Sequence, residues 1–351
     1  MSEKFIIGAS PDFFKEARPH FLRVQREALD PLDWVQVIPM PDLPNLEATP
    51  ELLDQFDALF ALAVRVNPDS LRGVKRLAVV ARWGVGYDRI DVPALTSADI
   101  MLSITPNSVK GPVAEAILAF LLALAKNLPL QDRVSRGGGW RGDLPRLGRT
   151  VAGTVLGSVG CGNIAREMFR VCATLGFGRM IACDPFVRHE DVAGLGVEMT
   201  DMDTVFRESD FVTINTYLSE ATRGLVGERE LRLMKPSAYF INTARGPIVQ
   251  ESALLRALQE KWIAGAGIDV YEVEPPPRNH PFFELDNIIL APHAMAWTDE
   301  LMHENGLEAC QNVFTVARGE APANVVNKDV LSRPGMQAKL ARLRALFGSH
   351  I

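Results

Sequence analysis

The chain has 351 residues, more than a single hydrophobic core usually supports, so we expect two domains. A formal net charge of −6 argues against binding to nucleic acid or to an anionic membrane, and 47% hydrophobic residues beside 23% charged residues are ordinary for a globular protein. The start, Met1-Ser2-Glu3-Lys4, has no basic segment leading into an apolar signal core, which favours a cytoplasmic location.

Short apolar runs alternate with helical patterns at the beginning of the chain, as is typical of a small parallel α/β domain. A helix predicted over residues 113–127 is apolar almost all round, so it should be buried in a core or an interface. Its most hydrophobic run, residues 116–125, is well short of the roughly 20 residues that span a bilayer, so no membrane contact is expected. The strands predicted for this first domain are residues 5–8, 34–38, 58–62, 77–81 and 100–103.

A polar, glycine-rich segment, residues 129–150, is expected to be a loop that leads to a second domain. Helical patterns lie between most of the strands that follow, and a helix predicted over residues 298–317 can return the chain to the first domain. The predicted fold class is therefore α/β, with two parallel-sheet domains, Rossmann-like or flavodoxin-like, and a cleft between them. The strands predicted for the second domain are residues 154–159, 180–183, 211–215, 238–242, 264–268 and 287–290.

The segment Gly160-Cys161-Gly162-Asn163-Ile164-Ala165 follows a predicted strand and opens a helix, as the Gly-x-Gly-x-x-Ala turn of a dinucleotide-binding fold does. Gly160 permits the tight turn, and Gly162 lets the backbone approach a pyrophosphate at the helix N-terminus. Asp184 ends the next strand, about 20 residues on, where an acid accepts hydrogen bonds from a ribose 2′-hydroxyl and repels a 2′-phosphate. NAD is therefore the expected cofactor, and NADP is less favoured. The alternative is a plain glycine turn beside a surface aspartate.

Three side chains suited to acid–base chemistry stand at the ends of later apolar runs: Arg245, Glu274 and His293. The carboxyl ends of parallel strands face one crevice, so these residues can converge there to hold an anionic substrate and move a proton. Each also has a structural alternative, namely a surface ion pair for Arg245, a solvated loop position for Glu274 and a capping role for His293. His280 competes as the base, but its proline-rich loop favours a structural role.

None of the four cysteines lies in a Cys-x-x-Cys pair or beside other metal ligands. We therefore expect reduced packing residues and no metal site. The four are Cys161, Cys172, Cys183 and Cys310.

Several ordered motifs recur along the chain: residues 83–91, residues 113–115, the glycine turn, residues 242–246, residues 268–275 and Pro292-His293. In these motifs and their spacing, and over essentially its full length, the chain resembles the D-isomer-specific 2-hydroxyacid dehydrogenase family and, within it, the phosphoglycerate dehydrogenases. The resemblance implies an NAD-dependent oxidoreductase that transfers hydride between the nicotinamide and C2 of a small anionic D-2-hydroxy acid or 2-keto acid.

The resemblance also implies a role for each member of the trio. Arg245 would bind the substrate carboxylate with its planar fork of donors and polarise the carbonyl group. His293 would be the general acid in reduction and the general base in oxidation, while Glu274 would orient it and favour its protonated form.

Further contacts follow from the same resemblance. Asp269 would bind the nicotinamide carboxamide, and the backbone N–H groups of segment 84–86 would face the substrate carboxylate. The implied substrate contacts are Arg82, Trp83, Gly84, Val85, Gly86 and Arg245. The implied cofactor contacts are Gly160, Gly162, Asn163, Ile164, Asp184, Thr216, Thr243, Ala244, Asp269, His293 and Ala296.

Residues 1–105 with 299–351 would then form a discontinuous substrate-binding, catalytic domain, and residues 106–298 the NAD-binding Rossmann domain. A homodimer packed through residues 113–127 is implied as well. Two other functions stay open: phosphite oxidation, which relatives perform with a similar trio, and an NAD(H)-sensing binding protein of the corepressor type. Formate oxidation is disfavoured, because those relatives carry glutamine at the position of Glu274.

Some positions depart from the family pattern or allow two roles. Members often have His and Pro where this chain has Asn215 and Tyr217, and residues 294–298 replace the usual small residues after the histidine. Arg82 lies where phosphoglycerate dehydrogenases also have arginine, so it can meet a second anionic group or form an ordinary ion pair. Trp83 can narrow the substrate pocket or belong to the core.

Overall fold

The structure is a computed structural model that describes residues 3–350, so the start considered above lies partly outside it, at Met1 and Ser2. The chain divides into two compact units, and each is described separately. The first unit comprises Met1–Val109 and Trp297–Ile351, and the second unit comprises Lys110–Ala296.

Strands and helices alternate along most of the chain. The strands are β1 Phe5–Ala9, β2 Val35–Pro39, β3 Ala58–Ala61, β4 Val79–Arg82, β5 Met101–Ser103, β6 Val155–Val159, β7 Arg179–Cys183, β8 Val197–Met199, β9 Phe211–Ile214, β10 Tyr239–Asn242, β11 Gly265–Ile268 and β12 Ile288–Leu290. The α-helices are α1 Asp12–Glu16, α2 Arg18–Val24, α3 Pro50–Leu53, α4 Val92–Ser97, α5 Pro106–Ala125, α6 Leu128–Arg136, α7 Asn163–Cys172, α8 Met202–Glu208, α9 Glu228–Leu233, α10 Glu251–Gln259, α11 Asp299–Ala317 and α12 Pro334–Phe347.

The first unit is built on a five-stranded sheet in the order β2-β1-β3-β4-β5, and every pairing in it is parallel. Strands β3 and β5 are buried throughout, because helices cover both faces of such a sheet and each strand becomes a continuous apolar run. The five strands predicted from sequence are confirmed.

The second unit contains a seven-stranded parallel sheet in the order β12-β11-β10-β9-β6-β7-β8. Together the two sheets confirm the predicted fold class of two parallel-sheet α/β domains. The strand order changes direction beside β6, the point at which a doubly wound sheet binds its ligand, and the glycine turn follows that strand. Strand β8, a three-residue strand at one edge of this sheet, was not predicted.

Helix α5 is longer than the sequence pattern indicated. It begins at Pro106 rather than at residue 113 and continues through Pro112. Its first turn receives a side-chain cap, since the Glu308 carboxylate accepts hydrogen bonds from the backbone N–H groups of Asn107 at 3.4 Å and Ser108 at 3.1 Å. By length and composition this helix could cross a membrane, but one such helix is weak evidence of a membrane span, and half of its most hydrophobic window is buried inside the protein.

Two further helices lie where none was expected. Helix α6 occupies the start of the segment predicted to be a loop, with Pro129 in its first turn, and none of its residues is buried. Helix α12 near the C-terminus buries Met336, Leu340, Leu343 and Phe347 at helical spacing. All four cysteines are unpaired, and three of them are buried.

Candidate active site

The glycine turn after β6 has the geometry of a phosphate-binding turn. Gly160 has a φ of +95°, and a Cβ atom there would lie 2.6 Å from the carbonyl oxygen of Asn215, so the position requires glycine. Gly162 stands at the N-terminus of α7, where no side chain caps the helix and an added Cβ atom would meet nothing within 4 Å. The open backbone N–H groups at this helix end therefore fit a pyrophosphate.

Asp184 is fixed directly beside this turn. Its Oδ2 atom accepts a hydrogen bond from the backbone N–H of Cys161 at 2.8 Å, and its Oδ1 atom accepts one from Phe186 at 2.9 Å. The nearby Arg188 lies 3.5 Å from Glu190 and 3.3 Å from Asp191. The arrangement leaves a carboxylate next to the phosphate turn, which suits a ribose diol and disfavours a 2′-phosphate.

Arg245 follows β10 on a turn that Asn242 stabilises. The Asn242 amide donates to the carbonyl oxygen of Arg245 at 3.0 Å and accepts from the N–H of Ala244 at 3.0 Å. The next residue, Gly246, packs so closely on the backbone of Tyr271 that any side chain would overlap it. The absence of a side chain at Gly246 thus lets the Arg245 turn contact the segment that leads to Glu274.

Glu274 and His293 lie at ion-pair distance from each other in the second unit. Nδ1 of His293 lies 3.0 Å from Oε1 and 2.9 Å from Oε2 of Glu274, and Oε1 also accepts from the N–H of Tyr271 at 3.2 Å. Burial alone would raise the pKa of Glu274, but the hydrogen bond and charge of His293, helped by Tyr271 and Arg245, lower it overall. The carboxylate therefore stays ionised, and the imidazole, 40% exposed, keeps Nε2 for proton exchange.

Asp269 holds the turn that carries His293. It is buried after β11, and its Oδ1 atom accepts hydrogen bonds from the N–H groups of Ala294 at 3.0 Å and Met295 at 3.3 Å. These bonds stabilise His293 in a left-handed conformation with a φ of +55°. Burial raises the pKa of Asp269, although the charge of His293 and the two N–H groups oppose the rise. Sequence reasoning missed this role, because nothing local connects the two segments.

The remaining residues that the sequence predicts to contact the cofactor lie at the carboxyl end of the second sheet. They lie on the segments that follow the carboxyl ends of β6, β9, β10 and β12, where the topology brings them together. The hydroxyl of Thr243 is buried with no hydrogen-bond partner among residues 3–350. The residues placed at this end are Asn163, Ile164, Thr216, Thr243, Ala244 and Ala296.

Asn215 explains one departure from the family pattern. Its side-chain amide donates to the hydroxyl oxygens of Ser158 and Thr213, both at 2.9 Å, and so fixes the ends of β6 and β9 to each other. Tyr217, two residues further on, is mostly exposed. The amide at position 215 therefore has a structural role in the sheet.

Arg82 lies in the first unit at the end of β4 and braces the glycine segment. Its Nε atom donates to the carbonyl oxygen of Gly86 at 2.8 Å, and its guanidinium also contacts the carbonyl oxygen of Trp83. Gly84 has a φ of +123°, and its N–H donates to the hydroxyl of Thr105 at 2.7 Å. The prediction that all of segment 84–86 offers N–H groups to substrate is therefore corrected for Gly84, whose N–H is already bonded.

Trp83 belongs to the core of the first unit. Its side chain is 1% exposed, and its ring lies 4.7 Å from that of Phe13 and 5.9 Å from that of Phe60, measured between centroids. This placement corrects the prediction that the Trp83 indole contacts substrate, because packing across the sheet turns it inward.

His280 has the structural role that the sequence favoured. It is buried beside Phe282, and Nε2 contacts the carboxylate of Glu251 while Nδ1 accepts from the N–H of Phe282 at 3.3 Å. The same Glu251 accepts from the N–H of Glu272 at 2.9 Å. The pair thus stabilises the loop that presents Glu274. In residues 3–350 no cluster of three or more His, Cys, Asp and Glu residues is placed to hold a metal ion.

The fold and the site define a dinucleotide-dependent oxidoreductase. The model of the NAD-binding domain of D-isomer specific 2-hydroxyacid dehydrogenases matches residues 118–295. The chain therefore belongs to the D-isomer specific 2-hydroxyacid dehydrogenase family, and it is an NAD-dependent enzyme of that family.

Curated relatives and solved structures agree with this assignment. A glyoxylate reductase of Thermococcus litoralis is 36% identical over 300 residues, which is 83% of this chain and 90% of the relative. A D-3-phosphoglycerate dehydrogenase of Archaeoglobus fulgidus is 33% identical over 79% of this chain and 53% of its own length. The structure of a glyoxylate reductase from Paecilomyes thermophila matches with a TM-score of 0.79 and 25% identity, over 94% of this chain and 100% of that one.

Proposed function

We propose that the protein reduces glyoxylate, or a similarly small 2-keto acid without a phosphate group, to the 2-hydroxy acid with NADH. The observation that carries the proposal is the Glu274–His293 pair, held next to the Arg245 turn. The 36% identical relative from Thermococcus litoralis is a glyoxylate reductase, which supports the choice of substrate.

The reaction needs one hydride and one proton at the carbonyl group of the substrate. When bound, NADH would supply the hydride. Arg245 would bind the substrate carboxylate and stabilise negative charge that develops on the carbonyl oxygen. His293 would donate its proton to that oxygen from Nε2, while the Glu274 carboxylate stabilises the imidazolium before the transfer. In oxidation His293 would accept the proton instead.

The residues at the carboxyl end of the second sheet fit NAD. Gly162 would face the pyrophosphate, Asp184 would bind the ribose hydroxyls, and Thr243 would direct its buried hydroxyl to the cofactor. Asp269 would bind the carboxamide with the carboxylate oxygen that does not bond to Ala294. The carboxylate of Asp184 favours NAD over NADP.

We propose fewer substrate contacts in the first unit than the sequence implied. Val85 and Gly86 are the residues whose N–H groups would bind the substrate carboxylate. The Arg82 guanidinium donates to two carbonyl oxygens of its own segment, which leaves fewer of its five donors for a phosphate group on the substrate. This bonding argues for a substrate with a single anionic group.

We also propose a homodimer packed through residues 113–127, as the family resemblance implies, and through the segment that follows them. One continuous segment of the second unit exposes three large apolar side chains, Leu128 at 57%, Trp140 at 74% and Leu147 at 83%. A second copy of the chain would bury this surface. Light scattering after gel filtration should show a dimer that Trp140→Ser weakens, and a wild-type monomer would refute the proposal.

A substrate panel tests the function. Oxidation of NADH should be followed with glyoxylate, pyruvate and a phosphorylated 2-keto acid, and reduction of NAD with phosphite. Glyoxylate should give the highest kcat/KM, and NADPH should support a lower rate than NADH. A preference for the phosphorylated acid or for phosphite would overturn the proposal. Binding of NADH without turnover of any substrate would favour the corepressor-type alternative.

A further inference from the structure

We propose that Thr105 and Asn305 are positioning residues that hold the glycine segment 84–86 and thereby set the affinity for the 2-keto acid. The proposal rests on the proposed function, in which this segment binds the substrate carboxylate.

Thr105 bonds to both polar backbone groups of Gly84. The N–H of Gly84 donates to the Thr105 hydroxyl at 2.7 Å, and the N–H of Thr105 donates to the carbonyl oxygen of Gly84 at 3.1 Å. Gly84 has a φ of +123°, a conformation that glycine adopts readily and that other residues rarely adopt. The two bonds therefore fix the peptide planes on either side of Gly84 and, with them, the direction of the next N–H group.

Asn305 fixes the direction of the Thr105 hydroxyl. The Oδ1 atom of Asn305 is in hydrogen-bond contact with Oγ1 of Thr105, and both side chains are buried. Because an amide oxygen can only accept, the Thr105 hydroxyl donates its one hydrogen to Asn305, while its oxygen accepts from Gly84. The result is a one-way relay from Gly84 through Thr105 to α11, and each bond strengthens its neighbour.

The far end of the relay is firmly held. Ser108 donates to one of several acceptors around it, with Glu308 nearest at 3.0 Å, and Glu308 caps the start of α5 and accepts from Asn324 at 3.1 Å. Next to Asn305, an added Cβ atom on Gly306 would lie 2.6 Å from the Trp83 ring, so α11 packs tightly on the residue before the segment. The relay therefore ends on a tightly packed helix.

The segment is thus held from both ends by different chemistry. Thr105 holds Gly84 through a neutral relay, and Arg82 holds the carbonyl oxygen of Gly86 through a charged donor at 2.8 Å. Between them lie the N–H groups of Val85 and Gly86, which the proposed function assigns to the substrate. Loss of the Thr105 hydroxyl should weaken substrate binding while leaving the second unit, with its nucleotide turn, unchanged.

The test compares Thr105→Val with Thr105→Ser. Valine has the shape of threonine, but its side chain cannot bond to the N–H of Gly84 or to Asn305, whereas serine keeps the hydroxyl. The backbone bond from residue 105 to the carbonyl oxygen of Gly84 remains in both variants. Thr105→Val should raise the KM for glyoxylate by about tenfold, the effect of one buried hydrogen bond, with kcat changed much less. The Kd for NADH, read by fluorescence, should not change. Thr105→Ser should stay within about twofold of wild type.

Thr96→Val is the matched control. Thr96 lies in α4 of the same unit. Its hydroxyl donates to the carbonyl oxygen of Val92 at 3.0 Å and accepts from the side-chain amide of Asn327 at 3.0 Å, so valine there also removes one donated and one accepted bond. Urea midpoints of all variants report folding. An unchanged KM in folded Thr105→Val, an equal rise in Thr96→Val, or a loss in Thr105→Ser as large as in the valine variant would each overturn the proposal.

Amide hydrogen exchange at Gly84 separates this proposal from the function on which it rests. Exchange that accelerates in Thr105→Val but not in Thr96→Val shows that the hydroxyl holds the segment, and unchanged exchange refutes this. A wild-type enzyme that turns over no 2-keto acid refutes the proposed function, and the role of Thr105 in substrate affinity with it.

Discussion

Both carboxylate oxygens of Glu274 lie within 3.0 Å of Nδ1 of His293. Such a pairing fixes the plane of the imidazole and adds an electrostatic preference for its protonated form. The Tyr271 N–H bonds to the same carboxylate at 3.2 Å, so the acid cannot rotate away without losing a second partner.

Replacing Glu274 with Gln should shift the pH dependence of reduction. The amide keeps the shape of the side chain and removes the charge that stabilises protonated His293. Because reduction uses the protonated imidazole, the high-pH limb of kcat/KM should move to lower pH, and the rate at neutral pH should fall. The lowered pKa of Glu274 means that the carboxylate is ionised across the neutral range, so its removal acts throughout that range.

Glu27→Gln provides the control for that experiment. Glu27 forms a second His–Glu pair, 2.6 Å from Nε2 of His303 in the first unit. Its replacement should leave the pH profile of reduction unchanged. A shift of equal size in both variants would show a general charge effect and remove the specific role of Glu274.

Replacing His293 with Ala should abolish most of the proton transfer. General acid–base catalysis contributes about a hundredfold to ten-thousandfold, so kcat should fall by that factor. The Kd for NADH should change little, which fluorescence titration can measure. His20→Ala, at an exposed 3.7 Å pair with Asp299, should retain wild-type turnover. Near-normal turnover of the His293 variant would exclude it as the acid.

Asp184→Asn tests the choice of cofactor. The amide retains an oxygen that can accept from Cys161, as the carboxylate does at 2.8 Å, but it no longer repels a 2′-phosphate. The ratio of kcat/KM for NADH to that for NADPH should fall by about one order of magnitude. Asp203→Asn, which removes an exposed partner of Arg229, is the control and should keep the wild-type ratio. An unchanged ratio in Asp184→Asn would contradict the ribose assignment.

Lys339→Met should destabilise the first unit. The half-buried ammonium donates to the carbonyl oxygens of Leu77 at 2.7 Å, Ala98 at 3.1 Å and Asp99 at 2.9 Å. Methionine leaves these acceptors unpaired, so the free energy of unfolding should fall by about 1–3 kcal/mol at neutral pH, as measured in urea. A variant as stable as wild type would show that the three bonds contribute nothing net.

The same lysine predicts a pH dependence of stability. Burial lowers the pKa of Lys339 from 10.5 to about 8 in the folded chain, against the opposing effect of Asp99 and Asp54. Between these two values the unfolded chain binds the proton more strongly, so the unfolding free energy of wild type should rise with pH across this window. Lys339→Met should lack that rise. If the unfolding free energies of the two proteins changed with pH in parallel, the rise could not be attributed to Lys339.

The parts of the fold that local sequence determines could be predicted. The glycine turn and Asp184 depend on neighbouring backbone conformation and on the strand before each. Their spacing in the sequence was therefore enough to predict that they lie together. Helix α6 could not be predicted, because its glycine-rich surroundings are typical of loops and none of its residues is buried to create an apolar periodicity.

The directions of side chains that depend on distant partners could not be predicted from the sequence. Trp83 faces inward because Phe13, Phe21 and Phe60 surround it, and these residues come from other elements. The bonds of Asp269 to Ala294 and of Thr105 to Asn305 join segments far apart in the chain. A pattern of residue types shows that such groups exist, but only the folded chain shows which of them meet.

The guanidinium of Arg82 has a consequence for enzyme engineering. Because it binds the carbonyl oxygens of Trp83 and Gly86, its mutation would disturb the backbone before it altered selectivity. An attempt to broaden this enzyme toward doubly charged substrates should therefore leave Arg82 in place and introduce a new cation elsewhere.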